Sequence, residues 1–555
     1  MWSLKISPLS AYQPASVRRG LACLFVIATV VFGQSAGAQD FETTNWAEVD
    51  RFDSADPTNP YYSAPSQGVV WAGSVTSQAD PVMNADIGRT SFGVNGSGIK
   101  IGVISDSYNA LGGEAAAIAS GDLPGAGNPN GFVTPVNVVK EDLGSLITDE
   151  GRAMIELIHD LAPGAEILFH SAFNSAGPAG TAPSTTIANA IDGLRQAGAD
   201  IIVDDVAILT QAKYQDGASA QAVDRAFAAG IPYFSSAGNN SNNAYEANHT
   251  SSAPATGFND LHNFNTAGGV DQILDLGFLA PGEEFRATLK WEDPYASVGG
   301  TATTDLSLLF VLNNESEGLA NAVVEANNNQ DAFEFGGITN PFGTPLQVGI
   351  AVDRVAGEAA KLLSIEVLGR NITDDDDTDS PTIHGHNAAK GAVAVAAQFY
   401  ADPGLDQVEA FSSEGPTLIL FDEDGSLLDT PEFRATPQIT GIDGTDTTFF
   451  GFDQEPNGFP NFFGTSAAAP HVAAVAALVL DRADDLGISL TPTELYDLLF
   501  ASTIDIESPG FDNLSGFGRL DASLALSQVV PEPNALTLIL PMAASMMVVG
   551  RPRRR

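Results

Sequence analysis

From Gly98 onward the chain alternates short, almost wholly apolar runs with longer segments in which apolar residues recur every three or four positions. Lys100–Asp106 (KIGVISD), Ala165–Ala172, Ala199–Ile208, Gly230–Asn239 and Gly391–Phe399 are apolar on both faces and too short for helices, the pattern of buried parallel strands. Thr186–Ala199, Ala218–Gly230 and Ser466–Ala483 carry the repeat of helices that cover such a sheet. The alternation predicts an α/β fold, a doubly wound and mostly parallel sheet with its site at the C-terminal strand ends.

Between about Tyr245 and Asp379 the helical repeat vanishes. Asp271–Pro294, Thr303–Ser316, Pro345–Val355 and Lys361–Arg370 read instead as short strands set apart by turns, which predicts an inserted β-sandwich. Thr373–Ser380 (TDDDDTDS) is its acidic exit linker, and the α/β pattern resumes at Thr382. The segments are then 86–244 and 380–528 for the two parts of the α/β domain and 245–379 for the insertion. Residues 39–85, acidic with little periodicity, read as a linker, a short propeptide or a strap across the next domain.

Both ends read as addresses. Residues 1–38 place Arg18 and Arg19 before the apolar run Leu21–Phe32 and a small-residue site at Ala36-Gly37-Ala38, the order of a cleavable secretory signal. At 529–555 a Pro531-Glu532-Pro533 turn precedes the apolar stretch Ala535–Val549 and four arginines, which would keep that end in the cytoplasm. The stretch is short for a permanent span of ~20 residues. The tail resembles the PEP-CTERM sorting signal of Gram-negative bacteria, and the resemblance implies an exosortase-like processing enzyme as partner and transient or permanent membrane anchoring. The expected location is exported, extracellular or at the cell surface.

The formal net charge is −45, and seven of the 24 Lys and Arg lie in these two ends, so the part between is more acidic still. Such a surface repels nucleic acid and anionic lipid, which excludes nucleic acid as a partner. The single cysteine, Cys23, falls within the leader, leaving the remainder without disulfides. Stability must come from the core, with room for structural calcium. No metal-ligand spacing, phosphate loop or nucleotide fingerprint is present in the sequence.

Four motifs carry chemistry. Ile101–Asp106 is an apolar strand that delivers a carboxylate at its end. Glu150 opens the helix that ends at Ala162-Pro163-Gly164-Ala165. Ser235-Ser236-Ala237-Gly238-Asn239 is a strand ending in an amide donor. Gly464-Thr465-Ser466-Ala467-Ala468-Ala469-Pro470-His471 sets a serine at a helix N-terminus, where unpaired N–H groups and the dipole stabilise developing negative charge. The last motif closely resembles the serine motif of the subtilases, and the order Asp, helix, Asn, Ser matches that family. The resemblance covers roughly residues 86–244 and 382–524. It implies Ser466 as nucleophile, Asp106 as acid and Asn239 as oxyanion donor, in a protease acting on polypeptide substrates.

The departure is at the base, where Glu150 stands in the place of the family's helix histidine. Sedolisins, acid proteases on the same fold, have a glutamate there, with an aspartate four residues on; here that residue is Met154. The site thus resembles the sedolisin-like branch, also in its paired Asp204-Asp205, with Asp106 supplying the second carboxylate and orienting Glu150 by donating a hydrogen bond. Asp205 falls where subtilases bind substrate, and reads either as a substrate-binding acid or as a buried strand-end carboxylate. His384 and His386 come late in the chain, and His471 reads as a packing residue of its helix. Two alternatives stand beside the acid protease: a degenerate surface binding protein, and a neutral subtilase using His384 or His386.

Overall fold

The computed structural model describes residues 73–530, apart from 145–146, 175–182, 253–256, 266–267, 313–321, 326–330, 359–360 and 374–376. Residues 1–38, read above as a leader, and the Pro531–Arg555 tail lie outside the described residues, as does part of the segment read as an acidic exit linker. Among the described residues no helix is long and apolar enough to cross a membrane.

The apolar runs form the central sheet. In chain order its strands are β1 (Lys100–Ser105), β2 (Asn137–Lys140), β3 (Glu166–Ser171), β4 (Ile201–Asp204), β5 (Tyr233–Ser236), β6 (Ala392–Phe399), β7 (Ile439–Asp443), β8 (Thr503–Ile504) and β9 (Arg519–Leu520). Across the sheet they run β2-β3-β1-β4-β5-β6-β7-β9-β8, and every pair is parallel except the terminal β8–β9. The parallel register brings chemistry to one edge. Ile104 lies beside Asp204, and Asp204 beside Ser235, so Ser105, Asp205 and Ser236 follow in line. Both faces are covered by helices, as wholly apolar strands require. On one side lie α1 (Glu150–Leu161) and α4 (Thr465–Asp485), and on the other α2 (Pro183–Ala197) and α3 (Ala218–Ala228). Seventeen of the 21 residues of α4 are buried, because it runs through the core and not along the surface. Its alanines let it approach the strands closely.

The helix-free stretch forms two four-stranded antiparallel sheets between Ala244 and Leu368. Their inner faces alternate as period-two strands should: Leu306, Leu308 and Phe310 from one sheet meet Phe285, Leu289 and Ile365 from the other in a single apolar cluster. Residues 73–92 lie as a strap on the α/β core. Ala79, Met83 and Ala85 are fully buried, the Ser77 N–H donates to Asp160 Oδ2 at 2.7 Å, and Ser77 Oγ meets His471 Nε2 at 2.8 Å.

Candidate active site

Asp106 follows the last residue of β1 and is buried. Its Oδ1 accepts the Glu150 N–H at 3.0 Å, and its Oδ2 accepts both the Thr148 N–H and the Thr148 hydroxyl. Helix α1 begins after Asp149, a residue in the left-handed region (φ 60°) whose side chain caps nothing. Asp106 therefore does the capping from across the fold, taking donors that the helix start leaves without an intrahelical partner. These contacts hold Glu150 through its backbone, with Asp106 as acceptor. Gly151 lets the helix start press onto the sheet. A Cβ there would collide with the Phe169 ring and stand 2.8 Å from Ser107 O.

Ser466 is the second residue of α4 and 4% exposed. The Gly464 before it has φ 103°, which an L side chain rarely adopts. Asn239 leaves β5 and is fixed by the same turn: its Oδ1 accepts the Thr465 N–H at 2.9 Å and the Thr465 hydroxyl at 2.8 Å. With its carbonyl side so engaged, the amide NH₂ is left for the cleft. Asp205 Oδ2 accepts the Ser105 hydroxyl at 2.8 Å, and the Asp205 backbone carbonyl stands 3.5 Å from Ser466 Oγ.

Ser105, Asp106, Glu150, Asp205, Asn239 and Ser466 line one cleft, with Phe173 and Val206 among its walls. All five residues singled out from the sequence thus meet in one place. What is missing is an imidazole. None of the seven histidines lines the cleft. His471 is held by Ile442 O and Ser77, and burial lowers it to about 4. His159 packs edge-on against Phe132 and is likewise lowered to about 4 by burial. His384 accepts from Lys290 Nζ at 2.6 Å, and burial with that cation keeps it well below its usual range. His386 meets Asp204 at 3.2 Å and Gln211 at 2.8 Å, neither of which lines the cleft. Among the described residues no group of three or more His, Cys, Asp or Glu side chains is arranged to hold a metal.

Thr148, Thr465 and Ser105 complete the site and were missed in the sequence. Thr465 was legible in principle, since it sits inside the Gly-Thr-Ser motif; Thr148 and Ser105 carry no pattern that separates them from any turn threonine or strand serine.

A buried doubly wound sheet with a serine at the start of a glycine-led helix, an amide opposite and acids at the strand ends defines the subtilisin-like class of hydrolase folds. The model of the subtilase family matches residues 126–518, and the chain belongs to that family. The match begins beyond Asp106. A curated relative, an extracellular basic protease of Dichelobacter nodosus, is 44% identical over 71 residues, which is 13% of this chain and 12% of that protein. The chain thus aligns with about an eighth of that relative. Among solved structures, the CspB protease of Clostridium perfringens is similar with a TM-score of 0.53 and 12% identity, over 82% of this chain and all of that one. That likeness is one of fold.

Proposed function

We propose that the protein is an exported serine endopeptidase whose catalytic base is a carboxylate. The observation that carries this reading is the content of the cleft: a helix-start serine, an oriented amide and three carboxylates, without a histidine. Ser466 attacks the peptide carbonyl, and Glu150 takes its proton and returns it to the leaving amine. Asn239 Nδ2 and the N–H groups at the start of α4 receive the oxyanion. Asp106 holds the helix start, and so the Glu150 side chain, in place. Among the described residues the partner of Ser466 Oγ is the Asp205 carbonyl, at 3.5 Å; active-site hydrogen bonds commonly tighten when substrate closes the site.

An ordinary imidazole is lost as a base below ~6.5, whereas an ordinary glutamate serves down to ~4.3, so this enzyme works in acid. The sedolisin-like glutamate, the leader at 1–38 and the PEP-CTERM-like tail at 529–555 support an acid-active protease delivered to the cell surface or beyond. Asp205, beside Ser466, favours cationic or polar substrate side chains.

The test is a pH–rate profile on a denatured protein substrate, with labelling by a serine-directed fluorophosphonate. Labelling at Ser466 and turnover below pH 6 are expected. No labelling would leave the degenerate binding protein; turnover confined above pH 7 would remove the carboxylate base.

A further inference from the structure

Behind the turn that carries Ser466 lies a second pair of acids that the reaction above does not use. Strand β7 ends on Asp443, which is wholly buried. Its Oδ2 accepts the Gly464 N–H at 2.8 Å, two residues before the proposed nucleophile. Its Oδ1 is shut away from solvent without a hydrogen-bond partner, and so is Oε1 of Glu409. Glu409 enters from the loop after β6, its backbone N–H donating to Ala397 O at 2.8 Å; the residue is partly exposed, but this oxygen is not. Among the described residues the charged groups that act on the pair are each other and Asp402, without a cation. The Tyr400 hydroxyl, on the same strand end, is buried without a partner, and the Tyr400 N–H donates to Asp443 O at 3.2 Å.

The turn has little slack. Gly464 sits at φ 103°, and a Cβ there would stand 2.9 Å from Asn239 Nδ2. A displacement of Gly464 therefore moves both the serine hydroxyl and the threonine contacts that aim Asn239.

We propose that Asp443 is a positioning residue for the Gly464–Ser466 turn, and that it holds the turn only while the Asp443–Glu409 pair carries no more than one negative charge. The proposal rests on Ser466 being the nucleophile. Burial pushes Glu409 up to about 7 and Asp443 well above the carboxylate range. The pair is accordingly neutral or singly charged until Asp443 itself ionises. Two like charges without a cation would then act on each other in a dry site, where they are least screened. Relief requires one carboxylate to reach water, and Asp443 reaches it only by leaving Gly464.

Three variants of the full chain separate the arms. Asp443→Ala removes the acceptor; kcat should fall ~10-fold or more at pH 5 with KM little changed, as for a lost alignment. Asp443→Asn restores an acceptor that cannot ionise, and should recover most of that loss. Glu409→Gln leaves the Gly464 contact untouched and removes the neighbouring charge. Both amide variants should carry the alkaline limb of kcat upward by about one pH unit or more. A second readout avoids catalysis: in Ser466→Ala protein, amide exchange in the peptide spanning 461–466, corrected for intrinsic rate, should lose protection as pH rises from about 7 into the alkaline range, and Glu409→Gln should abolish that loss. Unmoved alkaline limbs in both amide variants, or flat protection across that window, overturn the proposal. Wild-type protein that reacts with the fluorophosphonate at Ser466 yet gives either result sinks this inference alone; protein that does not react sinks the nucleophile reading and this one with it.

Discussion

Glu156 stands six residues after Glu150 on the same helix, and its burial lets a stability change be worked from the structure. Its Oε2 accepts the Thr448 N–H at 2.9 Å and its Oε1 the Thr448 hydroxyl at 2.7 Å, while Arg152 Nη1 lies 3.9 Å away. Burial outweighs these partners and pushes the carboxyl from 4.5 up to about 7. A folded-state value above the unfolded one means that the native state holds its proton longer. The associated stability is complete below pH 4.5 and is lost as pH rises through about 7. Once the group is ionised, the loss is on the order of 3 kcal/mol. Glu156→Gln keeps an acceptor for the Thr448 N–H, and the Thr448 hydroxyl can turn to accept from the new amide. The variant should therefore change stability by less than ~1 kcal/mol at pH 4.5, where the acid is already neutral, and raise it by ~2 kcal/mol at pH 8.5. Urea unfolding of both proteins at the two pH values, in a Ser466→Ala background to prevent self-cleavage, measures the difference. Equal effects at both pH values would refute the reasoning, because a lost contact has no such pH dependence.

Three further outcomes follow from the site. Glu150→Gln keeps the side chain's shape but removes the proposed base, so kcat should fall ~10² or more with KM held; full activity there beside a dead Ser466→Ala would put the base elsewhere. Thr465→Ala loses the hydroxyl that fixes Asn239 Oδ1 and leaves the backbone contact, and should cost ~10-fold in kcat without reaching the ~10²–10³ of a deleted oxyanion donor, a figure taken from a subtilisin asparagine. His384→Ala should lower stability by removing the imidazole that accepts from buried Lys290, yet leave the acid limb of the pH–rate profile where it was; a displaced limb would return the late histidines to consideration.

The sheet and the site were legible for different reasons. The strands announced themselves because a sheet covered on both faces must be built from uninterrupted apolar runs, and Ile101–Ile104 and Ile201–Val203 are such runs. Asp106, Asn239 and Ser466 were legible because a strand end and a glycine-led helix start each impose a local pattern. The capping of α1 was not. Asp106 lies 44 residues from the N–H it accepts, and no local spacing encodes a cap supplied from another strand. The same holds for Asp443, which looks like a turn residue in the sequence and is the buried support of Gly464 in the fold. Residues 73–85 illustrate a third case: their lack of periodicity hides three fully buried apolar side chains, Ala79, Met83 and Ala85.

The buried titratable groups also set where the fold is stable. Glu156 and Glu409 are raised to about 7, and Asp160 and Asp443 stand well above the carboxylate range, all chiefly by burial. Each adds stability that is lost as pH climbs from the unfolded value toward the folded one. His159 and His471 are lowered to about 4, His262 to about 3 and His384 further than its usual range, again by burial. A histidine lowered on folding acts in the opposite sense, contributing fully above 6.5 and losing that contribution as pH falls toward about 4. Between 4.5 and 6.5 the acids gain what the histidines give up, and stability should be nearly flat there. Above 6.5 the histidines are already neutral and the acids continue to ionise, so stability should fall through about 7. Below 3.8 these four carboxyls no longer gain, while the histidines go on losing. The flat interval coincides with the range in which a glutamate base serves and an imidazole does not. A thermal midpoint that fell steadily from pH 6.5 to 4.5 would mean the histidines dominate, and a fold so balanced could not be one suited to acid.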